Sequence, residues 1–261
     1  MIRLNLYQLF KNKTLWAWPG LFLLFVVAML YWGDIGAAQN SYSFTVILGE
    51  GEIPMSLVMS QLTSLVILIC IIGLPNHFSK NLTPERGSLL LSKPISRRDF
   101  FFSDFASVSA VLFSYTIISM VLMAILLGVK AAIFPVQFFL AQLLFFPLLI
   151  MTYYISIVLF LILTDSYLGG ALLGWIVTGF SSVFLNSDKI LSMLGLQSGF
   201  ASTFMDILSY LIPSAGGIQK IVGQVYAGGF SAIDGGLLAF VLASCLPFAL
   251  LSYYLLQKKE F

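Results

Sequence analysis

Charge is what this chain has least of. Asp, Glu, Lys and Arg make up 24 of its 261 residues, 9%, while hydrophobic residues make up 59%. A soluble domain carries roughly 25% charged residues to keep its surface wet. This chain cannot cover a water-facing surface of its size, so most of its exterior faces lipid. Six spans of about 20 residues would take about 120 residues and leave no soluble domain beyond about 50. The net charge of +2 is too small, and its basic residues too scattered, for a nucleic-acid surface.

Other absences exclude chemistry. There are two cysteines, Cys70 and Cys245, both inside apolar runs. That excludes a disulfide framework and makes them small buried hydrophobes. His77 is the single histidine, so no zinc ligand set can be assembled by spacing. It reads as an interfacial residue at a helix end. No phosphate-binding loop of the form G-x-x-x-x-G-K-[ST] exists, because no Lys follows a Gly. Ser214-Ala215-Gly216-Gly217-Ile218-Gln219 faintly resembles an ATPase signature, but it falls on the outer side and reads as a turn. The apolar cores hold no charged side chain, which leaves no intramembrane aspartyl or serine protease and no ion-coupled carrier site. The chain therefore reads as neither an enzyme nor a binder of cofactor or metal.

Apolar runs are abundant. Six read as membrane spans: residues 15–32, 53–74, 105–129, 134–163, 167–185 and 235–256. The first follows Arg3, Lys11 and Lys13 and resembles a secretory signal. At about 18 residues it exceeds the 7–15 of a signal core, so it reads as a retained helix. The fourth is long enough to tilt, or to bend at Pro147. Asp165 lies in the short connection after it.

Lysine and arginine set the orientation. With the N-terminus inside, ten fall on inner segments and three, Lys130, Lys189 and Lys220, on outer ones. An odd number of spans would put Lys258 and Lys259 outside. The expectation is an all-α integral membrane protein, one domain over 1–261, multi-pass in a cytoplasmic (inner) membrane with both termini cytoplasmic.

Three segments outside the spans stand out. Residues 1–14 carry Ile2, Leu6, Leu9 and Phe10 at helical spacing, with polar residues mostly opposite, as in an amphipathic helix lying in the membrane interface. The inner loop 76–104 holds eight charged residues, a third of the total. The outer segment 186–234 is too apolar for a wet loop. Its run into Pro213 predicts a helix that dips into the membrane and turns back, which requires shelter from protein or a water-filled cavity.

Within the inner loop, Glu85-Arg86-Gly87-Ser88, then Leu89-Leu90-Leu91-Ser92-Lys93-Pro94, then Ile95-Ser96-Arg97-Arg98 resembles the first cytoplasmic loop of ABC-2-type transporter permeases. The stretch from Gly87 to Pro94 is about two residues shorter than in that family, and Asp104 stands where the family often has Lys. An amphipathic start, six spans and an apolar outer segment extend the resemblance along nearly the whole chain.

The resemblance implies a permease subunit of an ABC exporter. A cytoplasmic coupling helix between spans two and three would dock in a separate ATPase subunit, which binds ATP and Mg. Glu85, Arg86, Gly87, Leu90, Pro94, Arg97 and Arg98 would form that contact. It also implies a homodimer, and Gly170, Gly174 and Thr178, at four-residue intervals on the fifth span, form a small-residue stripe suited to a dimer seam. The alternative is a force-transmitting subunit, using the same ATPase but driving an extracytoplasmic partner, for example in metal-site maturation. The nine methionines are scattered and trace no copper path.

Overall fold

The computed structural model describes residues 2–37, 44–48, 51–82, 96–132, 134–185, 191 and 199–259. Its helices are α1 (Ile2–Lys11), α2 (Lys13–Trp32), α3 (Met55–Asn81), α4 (Arg97–Ala131), α5 (Val136–Thr164), α6 (Tyr167–Gly179), α7 (Ser181–Leu185), α8 (Gly199–Leu211), α9 (Ala215–Gly228) and α10 (Gly235–Lys258), with a short 3-10 turn at Phe230–Ala232. Among the described residues, six segments are long and apolar enough to cross a bilayer: α2, α3, α4, α5, α6 with α7, and α10. The chain is a multi-pass membrane protein.

Polar residues at the starts of these helices explain where they begin. Asn12, Ser96, Ser166, Ser214 and Asp234 each occupy an N-cap, and each side chain accepts a backbone N–H from the first turn. The stretch expected to be a turn at Ser214 is therefore a helix start. Two ion pairs hold opposite ends of the bundle. Lys130 Nζ lies 3.1 Å from Asp34 Oδ1 at the end of α4, and Lys259 pairs with Asp165, the left-handed residue (φ 52°) that closes α5. We call these the sheet end and the basic end.

The first end is named for a feature outside an all-α expectation. β1 (Asp34–Ala37), β2 (Phe44–Leu48) and β3 (Gly51–Pro54) form an antiparallel sheet between α2 and α3. Asp34 pairs with Ile47 and Ala37 with Phe44; Leu48 pairs with Gly51 across a two-residue connection. Ile35 and Val46, directly paired, are buried in the main core. The second span consequently starts at Met55 rather than at 53.

α5 is the central post. In its most apolar stretch 72% of residues are buried, against 17% for α10 at the periphery. Trp18, Phe22 and Val26 of α2, Val66 and Leu74 of α3, Val108, Leu112 and Tyr115 of α4, and Phe146 and Tyr154 of α5 share one core. Lipid tails are as apolar as these side chains, so close packing and internal hydrogen bonds hold the helices together, with little help from hydrophobic transfer.

The fifth span is broken. α6 ends at Gly179, Phe180 closes it, and α7 restarts at Ser181. The α8–α9 pair forms a hairpin with Pro213 in its turn. The Ser214 N–H donates to Ser244 Oγ at 3.0 Å, and the Tyr210 and Phe240 rings lie 5.0 Å apart. Ser244 sits nine residues past Gly235, so the hairpin tip reaches about 14 Å down α10 from the sheet end.

α1 lies across the bundle. His77 of α3 meets Asp104 of α4 near the basic end. One turn further in on each helix, Asn12 Nδ2 donates to Gly73 O at 2.8 Å, and Ser107 Oγ donates to Ile2 O at 3.4 Å. Both ends of α1 are thus held at one level. Trp16 Nε1 donates to Phe10 O at 2.7 Å and fixes the corner between α1 and α2.

Candidate functional site: the basic end

Of the seven residues expected to contact an ATPase, Glu85, Arg86, Gly87, Leu90 and Pro94 lie outside the described residues, as does the coupling helix expected there. The structure does place the two stems of that segment. α3 runs to Asn81 and α4 begins at Arg97, so the connecting segment is shorter than the 76–104 of the expected loop. Ser96 Oγ accepts the Asp99 N–H at 3.0 Å, and Asp99 in the first turn suits the positive end of the helix dipole.

Arg97 is turned inward along the bundle. Its Nη1 donates to Leu256 O at 3.2 Å and also to Gln257 O, satisfying carbonyls at the C-terminus of α10. Arg98 lies with its guanidinium carbon 5.8 Å from the centre of the Phe102 ring. The two neighbouring arginines therefore have different surroundings, and Arg97 links the stem of α4 to the last span. Lys259, just past α10, reaches Ile162 O at 3.3 Å as well as Asp165, and partial burial pushes its pKa below the ordinary lysine value.

Between the stems sits a buried polar group that a reading by span boundaries misses. α4 extends two turns beyond the expected 105–129, which carries Asp104 from the loop into the helix, where it is 0% exposed. His77, expected at an interface, is 6% exposed inside α3. The His77 Nε2 to Asp104 Oδ1 distance is 3.2 Å, with the ring N–H out of line for a good hydrogen bond. Tyr154 of α5 donates its hydroxyl to Asp104 Oδ2. So the expectation that the spans hold no buried acid or base is corrected: one carboxylate, one imidazole and one phenol join α3, α4 and α5. The signal was present in the sequence, since His77 and Asp104 flank the inner loop at similar distances.

All three side chains are buried, and their contacts run across three helices. Asn5 of α1 and Asn81 at the end of α3 are also buried, with amide nitrogens that have no hydrogen-bond partner among the described residues. No three His, Cys, Asp or Glu side chains among the described residues come together as metal ligands.

The small-residue stripe packs within the chain. Gly170, Gly174 and Thr178 are buried, and they face α5 of the same chain. A Cβ on Gly170 would lie 2.7 Å from Leu161 Cα and N; one on Gly174 would lie 2.6 Å from Ile157 Cα. Thr178 Oγ1 donates to Ser156 Oγ at 2.6 Å. The face that the spacing offered to a second copy is filled by the preceding helix. A two-residue connection, Asp165 and Ser166, makes that antiparallel contact the nearest available.

No family model, no curated protein and no solved structure matches the chain. The class that composition and structure define is a multi-pass membrane protein, with six helical segments among the described residues long and apolar enough to cross a bilayer.

Proposed function

We propose that the chain is the membrane-spanning permease subunit of an ATP-driven exporter, with ATP hydrolysed by a separate cytoplasmic ABC ATPase that docks on the 83–95 segment. The observation that carries the reading is the fastening of the two stems. Force applied between Asn81 and Arg97 acts on helices joined by His77 and Asp104 and tied to α5 through Tyr154. Arg97 extends the linkage to α10. A movement of the segment is thus delivered to four spans together. The motif around Glu85, Gly87 and Pro94 supplies the second support.

In this reading the basic end is cytoplasmic, both termini lie there, and α1 rests in the interface of an inner membrane. The α8–α9 hairpin re-enters the membrane from outside. Two copies assemble, on a surface other than the α6 stripe. An impermeant thiol reagent added to intact cells should label a cysteine placed near Gly51 and leave one placed near Ser92 untouched. Labelling near Ser92 would invert the topology and remove the docking argument.

The docking test reverses charges other than that of Arg97. Arg97 serves α10, so Arg98→Glu and Glu85→Lys are the better pair. Losing a paired charge at such an interface costs about 2–5 kcal/mol, so recovery of the co-purified ATPase should fall roughly 30-fold or more. Stimulated ATP hydrolysis should fall with it. Lys130→Glu, at an exposed pair worth about 1 kcal/mol or less, is the control. Full complex yield in both loop variants would overturn the assignment.

One observation favours the force-transmitting alternative. Phe204 and Ile207 are exposed on the part of α8 nearer the sheet end, around Asp206, which shares a pocket with Asp234 at the start of α10. An extracytoplasmic protein seated there would receive movement without any substrate crossing. Capping α8 with a bound antibody fragment would stop such a device and leave a substrate path through the bundle working.

A further inference from the structure

A cavity of about 190 Å³ lies between α3, α5 and α9, in the half of the bundle nearer the sheet end, and it opens to the outside of the bundle. We infer that it is a binding site for an uncharged amphiphile, with a hydroxyl- or amide-bearing head inside and an aliphatic part leaving through the opening. The inference rests on the membrane setting and the cavity, and is independent of the ATPase reading.

The lining is polar in five places and charged in none. Ser60, Thr63, Gln142, Gln219 and Tyr226 supply the polar groups. Gln142 Nε2 donates to the Tyr226 hydroxyl, which fixes one wall. The side chains of Ser60 and Gln219, exposed at the mouth, and of Thr63, half-buried, have no hydrogen-bond partner among the described residues. At membrane depth each such group costs free energy until something satisfies it. An occupant with hydrogen-bonding groups does so.

The remaining wall decides against water alone. Met59, Phe145, Phe146, Leu149 and Val222 are apolar. The volume would hold about six waters, each wanting two to four polar partners. Five polar side chains on a mostly apolar wall do not supply them, whereas an amphiphile satisfies both kinds of surface. The lining favours an uncharged head, because none of its side chains offers a counter-charge. The volume suits a head of glycerol size.

The test uses the purified chain in phosphatidylcholine nanodiscs and a photoactivatable monoacylglycerol. A photoactivatable fatty acid of the same chain length is the anionic comparison. Peptides containing 59–63, 142–149 and 219–226 should be labelled preferentially by the uncharged probe, and unlabelled monoacylglycerol should compete. A Cβ on Gly223, which lines the cavity, meets nothing within 4 Å. Gly223→Phe should therefore fill the space without displacing backbone and cut labelling about tenfold. Gly128→Phe, on open surface of α4, should leave it unchanged. Thr63→Val with Gln219→Leu keeps the shape, removes the hydrogen bonds and should weaken competition about tenfold. Labelling spread evenly over the lipid-facing helices, equal labelling by the acid, or insensitivity to both Gly223→Phe and the double variant would overturn the site.

Discussion

Replacing His77 by Leu should destabilise the folded protein by about 3–5 kcal/mol. That is the cost of removing one partner of a buried ionisable pair and leaving the other in a low-dielectric interior. Asp104 is 0% exposed, and without the imidazole its carboxylate has the Tyr154 hydroxyl alone. Asp104→Leu should cost a comparable amount, since it strands His77 and Tyr154 together. Changing both residues to Leu should cost much less than the sum, because an apolar pair of similar shape has no charge left to solvate. Thermal unfolding in lipid nanodiscs gives the three values. A coupling above about 1 kcal/mol marks a true pair; additive losses would show that His77 and Asp104 act separately and would remove the fastening on which the force-transfer reading depends.

Spans and chemistry were unequally readable in the sequence. The six spans follow from lengths of apolar run that only a bilayer demands, and each falls on a helix or a helix pair. Their ends are less legible. Hydropathy falls at Asp104, yet the helix continues outward to Ser96, whose side chain caps it. A charged residue marks the edge of an apolar run, while the backbone stops where a cap satisfies its N–H groups. Those two turns of helix separate a solvated loop aspartate from a buried one.

The sheet was hidden for a related reason. Phe44-Thr45-Val46-Ile47-Leu48 is rich in β-branched residues, but an apolar run beside a span cannot be assigned to strand or helix by periodicity alone. The small-residue stripe shows a different limit. Its spacing correctly indicates a face that touches another helix closely. Nothing in the spacing identifies that helix, and the connection through Asp165 and Ser166 gives the neighbour within the chain precedence over a second copy.

Gly174→Leu should therefore damage the monomer itself. The first atom added at this position would lie 2.6 Å from Ile157 Cα and 2.7 Å from Ile157 N. Both are backbone atoms of the most buried helix, so neither can rotate aside as a side chain tip can. Overpacking of a well-filled interior costs about 1–3 kcal/mol and occasionally more. Here α6 must move off α5, which separates Thr178 from Ser156 and leaves two buried hydroxyls with poorer partners. About 3 kcal/mol or more is expected, read as a lower unfolding temperature in nanodiscs and as poorer recovery from the membrane. Gly179→Leu is the matched control at the end of the same helix. A Cβ there meets nothing within 4 Å, so the change should stay within about 0.5 kcal/mol. The experiment separates the two roles of the stripe. If it packed against a second copy, Gly174→Leu would weaken cross-linking between copies and leave monomer unfolding unchanged; if it packs on α5, unfolding shifts first and Gly170→Leu, 2.7 Å from Leu161 Cα, repeats the effect.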